Sequence, residues 1–460
     1  MTAKRRHGRK PPQYGRFQES PWVDVLSHIG GFLKRKRGRG YVVGGFLRDV
    51  ILGQPSKDLD LVVTGVAPSA LAFNIHKTLG FSRPVVFPRF KTALTVGRGI
   101  EIEICVLRGD LKEDALQRDF TMNCLYKEIG LPPLSADSVS MLDPTGRGFK
   151  DLGKGVLRTP ADPCLTLWLD PLRILRAFRL NAVKGFKMAE DLHSCIPRLV
   201  YLIDKVARER VRTELEKILL STRVRSSFRK MQTLGVCGMV LPELSGTHGF
   251  DQSTPYHDYD LFNHSLKATA NTPADLAVRL AALLHDLGKP ATRIQRAGRA
   301  VYYGHEEVSA SLAEDVLRRL GFSRRIRKKV VFLVRNHMIH YSPEWSDKAV
   351  RRFVRKMGPY LEDMLLLAEA DQKAQSAEAR PDIPVRHLRK RIRDLRESAA
   401  IHLEAPMDGR EIMSVLGIGE GPLVGEAKNR LIEEASARDR PMTRREAAEV
   451  LRKWAKRQKP

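Results

Sequence analysis

The chain has 460 residues, 42 % hydrophobic and 29 % charged, with 80 Lys and Arg against 53 Asp and Glu for a formal charge of +27. That composition excludes a disordered polar chain and is enough for three or four units with substantial cores. No apolar run approaches the roughly 18 residues of a membrane span and no signal-peptide core is visible, so the excess positive charge points to a polyanionic partner whose binding weakens steeply with salt.

In chain order, Lys4-Arg5-Arg6, Arg9-Lys10 and Pro11-Pro12 read as a flexible basic arm over residues 1–20, because no amphipathic apolar face accompanies the charge. Residues 21–155 mix helix and strand patterns. Gly44 and Gly45 form a turn without Cβ atoms whose N–H groups can approach a triphosphate, followed by a helix from about Phe46 to Leu52 that carries Arg48 and Asp49. In Lys57-Asp58-Leu59-Asp60 the two acids sit at i and i+2 of a predicted strand, so both face one side while Leu59 faces the core. Such a pair can hold Mg²⁺, and two ions about 3.5–4 Å apart can acidify an attacking hydroxyl and neutralise a leaving pyrophosphate. A second helix near Leu71 to Leu79 and β-like runs at Ala93 to Val96 and Ile100 to Leu107 complete a small mixed sheet with helices, an α+β head.

Everything from Asp170 onward reads as helix: a neck over residues 156–245, a unit over 249–374, and a basic tail over 375–460. Asp170 and Arg173, three apart, share one helix face, so one accepts and the other donates hydrogen bonds. Cytosine and adenine both present an amino donor beside a ring-nitrogen acceptor, and such a pair accepts them while rejecting uracil and guanine. The plainer alternative makes Asp170 an N-cap before Pro171, with Arg176 and Arg179 on a solvated face. Further on, His264, His285-Asp286 and Asp371, with His305 and His337 between them, supply imidazole and carboxylate ligands that suit a transition metal or Mg²⁺. His285-Asp286-Leu287-Gly288-Lys289 follows the apolar helix Leu276 to Leu284, and Gly304-His305-Glu306 adds a further candidate ligand.

The basic runs Lys34 to Arg37 with Arg39, Arg324 to Lys329 and Arg386 to Arg396 each read as a solvated face, but their sum fits an RNA backbone. With few aromatics, base stacking is expected to be minor, as for recognition of a duplex by shape. Cys105, Cys124, Cys164, Cys195 and Cys237 are scattered, odd in number and without a C-x-x-C pair. They read as reduced core residues of a cytoplasmic protein, with neither a disulfide framework nor a zinc site.

Gly44-Gly45-Phe46-Leu47-Arg48-Asp49 followed by Lys57-Asp58-Leu59-Asp60 resembles the class II tRNA nucleotidyltransferases, which comprise CCA-adding, CC-adding and A-adding enzymes and bacterial poly(A) polymerases. The resemblance continues through Arg118-Asp119-Phe120-Thr121-Met122-Asn123, Asp143-Pro144-Thr145-Gly146 with Asp151-Leu152, Asp170-Pro171-Leu172-Arg173, and Glu209-Arg210 to Glu214-Leu215. The histidine-rich region resembles the HD phosphohydrolase domain that ends some members, and Asp408 to Gly425 resembles the segment that follows it. The resemblance implies Asp58 and Asp60 as catalytic Mg²⁺ ligands and Gly44, Gly45 and Arg48 on the triphosphate. It further implies Arg118, Asp119 and Asn123 near the nucleotide sugar, Asp170, Arg173 and Arg176 at the base, and tRNA, CTP and ATP as partners.

Two departures stand out. Leu169 occupies the place where CCA-adding enzymes usually carry Glu, as a poly(A)-polymerase-like sequence tolerates. The stretch Gly109 to Gln117 is much shorter than the mobile loop of CCA adders, and in the family that loss goes with enzymes that add C but cannot switch to A. The expectation is therefore a CC-adding enzyme. A poly(A) polymerase or A-adding enzyme, and an HD phosphohydrolase whose head only binds RNA, stay open as alternatives, and the oligomeric state is not legible.

Overall fold

A computed structural model describes residues 22–54, 56–130, 141–252, 260–296, 299–375, 384–397, 405–436 and 442–458. The chain divides into two compact units, Met1–Val206 and Ala207–Pro460, a boundary that falls inside the segment read as a neck. The basic arm read over 1–20 lies outside the described residues.

The first unit opens with α1 (Trp22–Arg35), β1 (Arg39–Val43), α2 (Gly45–Ile51), β2 (Asp58–Thr64) and α3 (Pro68–Leu79). It continues through β3 (Val85–Phe87), β4 (Thr92–Gly97), β5 (Ile100–Val106), α4 (Leu111–Leu116) and β6 (Tyr126–Glu128). These six strands form one mixed sheet in the order β3-β4-β5-β2-β1-β6, with β2 and β5 parallel and the other neighbours antiparallel. Alternation in β2 and β5 explains its two faces: Leu59, Leu61, Ile102 and Ile104 are buried and α3 packs on the sheet, while the intervening acids are not. The other face carries a cluster of Tyr41, Val43, Val62, Ala115, Cys124 and Tyr126.

Beyond the sheet come α5 (Gly148–Lys154), β7 (Val156–Leu157), α6 (Pro163–Leu169), α7 (Leu172–Lys184), β8 (Lys187–Met188) and α8 (Glu190–Leu199). Cys164 in α6 and Cys195 in α8 are joined by a disulfide across 31 residues, which corrects the expectation of five reduced thiols. The helices pack together and bring the two Cα atoms to 5.4 Å, a proximity created by tertiary packing that no local spacing announces. Cys105, Cys124 and Cys237 are free, the last two buried.

The second unit begins with α9 (Arg208–Leu219), α10 (Val224–Thr233), α11 (Val236–Val240), α12 (Pro242–Ser245), α13 (Leu261–Asn271), α14 (Leu276–Leu284) and α15 (Lys289–Thr292). A hairpin of β9 (Ile294–Arg296) and β10 (Arg299–Val301) precedes α16 (His305–Arg319), α17 (Arg324–Arg335), α18 (Asp347–Met357), α19 (Leu361–Ala374) and α20 (Pro384–Glu397). The last three helices, α21 (Gly409–Leu416), α22 (Pro422–Ser436) and α23 (Arg444–Gln458), share a small core of their own around Ile412, Ala427, Leu431 and Leu451. The α+β head followed by a helical body is as expected, but the β7–β8 pair and the β9–β10 hairpin interrupt a region read as wholly helical. Both are strands of two or three residues, too short for a period-2 pattern to register. Among the described residues no helix is long and apolar enough to cross a membrane.

Candidate active site and metal centre

The first site lies on the sheet face opposite the buried leucines. Register pairs Val43 with Asp60 across β1–β2, which sets the Asp60 carboxylate beside the turn that ends β1. Gly44 there has φ +78° and ψ −146°, a conformation essentially reserved for glycine, and a Cβ on it would lie 2.5 Å from Asp60 Oδ2. The Gly45 N–H donates to the Asp60 carboxylate. The turn read as a phosphate cradle is therefore also the wall against which Asp60 is positioned.

Parallel pairing of β2 with β5 sets Glu101 beside Asp58 and Glu103 beside Asp60. Neither glutamate was singled out from the sequence. Their signal is the alternation Ile100-Glu101-Ile102-Glu103-Ile104, acids on the unburied face of an otherwise apolar strand. Burial first, and then Glu103, lift the Asp60 carboxyl to about 6, although Arg118 and Arg176 oppose the rise. Carboxylates that repel one another at the edge of a sheet are a donor set for a divalent cation, and Asp58, Asp60 and Glu103 fit one.

The other expected head residues converge from three directions. Arg48 is buried, its guanidinium donating to both Asp49 oxygens at 3.0 and 3.1 Å and to Asn123 Oδ1 at 2.9 Å. Asn123 Nδ2 donates to Asp119 Oδ1 at 2.8 Å, and Arg176 lies 2.9 Å from Asp119 Oδ2. One polar chain thus links α2, the segment 119–123 and α7. Burial would raise the Asp119 carboxyl, but Arg176, Asn123 and the Phe120 N–H together hold it below the ordinary range. Arg118 binds Asp114 at 2.8 Å and Tyr126 Oη at 3.0 Å.

At the base-reading segment the geometry differs from the expectation. Asp170 lies outside α7: it terminates α6 with extended φ, Pro171 caps α7, and the Asp170 carboxylate accepts from the Leu172 N–H at 3.3 Å. Proline has no N–H to offer, so the bond goes one residue further. Arg173 sits in the first turn of α7 and donates to the carbonyls of Gln117 and Thr166. Leu169, at the position of the family's Glu, is 60 % exposed, so no packing requirement dictates a leucine there.

The second site gathers six side chains from five places. His264 projects from α13, His285 caps α14, Asp286 follows it, His305 opens α16, His337 lies just past α17 and Asp371 belongs to α19. His264 Nε2 is 2.9 Å from Asp371 Oδ1 and 3.6 Å from Asp286 Oδ2, and His285 Nε2 is 3.5 and 3.1 Å from the same two oxygens. His305 and His337 approach Asp286 Oδ1 at 3.2 and 3.6 Å. Gly288 permits this assembly, since a Cβ there would lie 2.5 Å from the His305 carbonyl. His285, Asp286, His305 and His337 are all buried. Burial disfavours a charged His285, but the Asp286 and Asp371 carboxylates beside it prevail and lift the imidazole to about 10, while both acids are held well below the usual carboxylate range. The pocket calls for a cation, and in the metal-free protein the His285 proton serves as one.

Paired carboxylates beside a glycine turn on a mixed sheet, followed by a helical body with a buried His/Asp cluster, define a nucleotidyltransferase head joined to a metal-binding helical domain. Family models agree: residues 40–110 match the Poly A polymerase head domain, 185–246 the probable RNA and SrmB-binding site of polymerase A, and 262–380 the HD domain. The chain is 32 % identical to the CC-adding tRNA nucleotidyltransferase of Thermus thermophilus over 90 % of its own length and 93 % of that protein. It is 31 % identical to the A-adding tRNA nucleotidyltransferase of Deinococcus radiodurans, covering 90 and 95 %. The Bacillus stearothermophilus CCA-adding enzyme in complex with CTP shares its fold, with a TM-score of 0.62 at 21 % identity over 96 % of this chain and 100 % of that one. The chain belongs to the class II tRNA nucleotidyltransferases, in the branch that carries a C-terminal HD domain.

Proposed function

We propose that this protein is a template-independent nucleotidyltransferase that extends the 3′ end of tRNA with C from CTP, and that it stops after CC. In the reaction the terminal hydroxyl of tRNA bonds to the α-phosphorus of the nucleotide, the bond to pyrophosphate breaks, and the hydroxyl proton is lost to solvent. Asp58, Asp60 and Glu103 would hold Mg²⁺, which when bound lowers the pKa of the hydroxyl and neutralises the leaving group. The N–H groups at Gly44 and Gly45 meet the triphosphate, Arg118, Asp119 and Asn123 lie at the sugar, and Asp170, Arg173 and Arg176 face the base. Arg48 contributes by orienting Asn123. The observation that carries the reading is the juxtaposition of Asp60 with the Gly44 turn.

Restriction to CC is supported by Asp110 to Gln117, where a long mobile loop would stand. This stretch is a short helix closed by a capping box, with Asp110 accepting from the Lys112 and Glu113 N–H groups. A-addition is the second reading, favoured by equal similarity to the Deinococcus radiodurans enzyme. Labelled CTP or ATP offered to tRNA transcripts ending at the discriminator base, after one C and after two, separates them. CC-addition gives C incorporation into the first two and no A into the third, whereas A incorporation after CC overturns it.

The HD region is proposed to hydrolyse phosphate esters with a divalent metal held by His264, His285, Asp286 and Asp371, and the whole protein to work in the cytoplasm. Turnover of bis(p-nitrophenyl) phosphate with added Mn²⁺, Ni²⁺, Co²⁺ or Mg²⁺, lost in His285→Ala, tests the former. No turnover with any of the four ions would overturn it.

A further inference from the structure

Resting on the reading of the HD region as a metal centre, we propose that it holds two divalent cations bridged by Asp286. Donors bound to one ion at about 2.1 Å lie about 3.0 Å apart in an octahedral arrangement and about 3.4 Å apart in a tetrahedral one. The contacts fall into two such sets. His264 Nε2, His285 Nε2, Asp371 Oδ1 and Asp286 Oδ2 stand 2.9–3.6 Å apart in their four measured carboxylate contacts. His305 Nε2, His337 Nε2 and Asp286 Oδ1 stand 3.2–3.6 Å apart, the two imidazoles being 3.3 Å from one another. Each set uses a different oxygen of Asp286, and His264, His285, Asp286 on one side and Asp286, His305, His337 on the other each fall within a 4.8 Å sphere of mutual approach.

Hydrogen bonding alone does not account for the cluster. His285 Nε2 and Asp286 Oδ1 are buried and close to partners, yet neither makes a hydrogen bond of acceptable geometry. Near approach at the wrong angle is how ligands of a shared ion meet. The Nδ1 atoms of His285, His305 and His337 lie 2.9, 2.7 and 2.7 Å from the carbonyls of Ala282, Tyr302 and Val334, each three residues upstream. An N–H donated there fixes the tautomer and turns each Nε2 lone pair inward. A hydrogen-bonded pair of imidazoles would need one Nε2 proton between His305 and His337, whereas three rings oriented alike suit metal ligation.

The chemistry this favours is hydrolysis of a phosphate ester. Two divalent ions against Asp286 and Asp371, with Lys289 Nζ already 2.7 Å from Asp286, leave a positive surplus that a phosphate ester and a hydroxide cancel. A water oxygen bonds to phosphorus, the bond from phosphorus to the sugar oxygen breaks, and the proton of the water ends on that oxygen.

The test uses the full chain with Asp58→Asn and Asp60→Asn to silence the head, stripped with chelator and titrated with Mn²⁺. Two ions per chain are expected by elemental analysis, with an exchange-coupled Mn²⁺ pair in the electron paramagnetic resonance spectrum. His305→Ala and His337→Ala should each lower the count from two to one and leave an isolated-ion spectrum, and Asp286→Ala should lower it to zero. One ion in the chain with intact histidines, with an uncoupled six-line spectrum, overturns the pair while sparing the metal centre. No ion at all overturns the metal centre itself. The coupled spectrum needs no HD substitution, so an unfolded variant cannot decide the outcome.

Discussion

Gly44→Ala tests whether the turn after β1 positions the catalytic acid or only connects two elements. The added Cβ would lie 2.5 Å from Asp60 Oδ2, where ordinary contact begins at 3.4 Å, so the carboxylate has to retreat by about 0.9 Å. A displacement near 1 Å at reacting groups costs roughly 10²-fold in rate. Placing a side chain at φ +78° adds about 1–3 kcal/mol of backbone strain. The expected result is a CTP incorporation rate near 1 % of the parent and a lower Tm. Gly45→Ala is the companion: its Cβ would meet only Arg48 Nη2, at 3.3 Å and without a positive φ, so a loss under about tenfold is expected. Gly44→Ala with incorporation within threefold of the parent and an unchanged Tm would refute the reasoning.

Asp60→Asn should abolish incorporation and yet stabilise the metal-free protein. The folded Asp60 carboxyl titrates near 6, above the ordinary unfolded value, so between those two pH values the unfolded chain releases a proton that the folded one keeps, and stability falls as pH rises. Above about pH 6 the ionised group costs about 1–2 kcal/mol, discounted for partial exposure, which Asn relieves; equal Tm values at pH 7.5 would contradict this. The same titration means that metal affinity of the head falls as pH drops through about 6, measurable by calorimetry at pH 5 and pH 8. The non-reduced, denatured chain should titrate three thiols, from Cys105, Cys124 and Cys237, and reduction should lower Tm, since closing 31 residues contributes about 3–4 kcal/mol. Five thiols would remove the disulfide. Binding to tRNA should weaken by at least 10³-fold between 50 and 200 mM salt if six or more phosphates are engaged, and a flat dependence would separate the +27 charge from RNA binding.

The parts of the head legible in the sequence were those written in local periodicity. Asp58 and Asp60 declared a strand face, Gly44 and Gly45 a turn, and Leu276 to Leu284 a buried helix, because each pattern spans only a few residues. Glu101 and Glu103 escaped because their importance depends on β5 running parallel beside β2, and strand order is not a local property. Cys164 and Cys195 escaped for the same reason, as packing of α6 on α8 brings them together. Asp170 was readable as a helix-start signal but not as the end of the preceding helix, since Pro171 without an N–H shifts the cap by one position. The six HD residues were readable in order along the chain. That Asp286 presents one oxygen to each of two histidine sets emerges only when α13, α14, α16, α17 and α19 are assembled.

Nucleotide transfer is assigned to the paired acids of the head, and that assignment is most directly tested by labelled CTP incorporation into tRNA lacking its CC end. The comparison is between the parent, Asp58→Ala, Asp60→Ala and His285→Ala. Incorporation lost in both head variants and retained in His285→Ala is the expected pattern. Incorporation that survives either Asp58→Ala or Asp60→Ala, or that disappears in a folded His285→Ala protein, would contradict it.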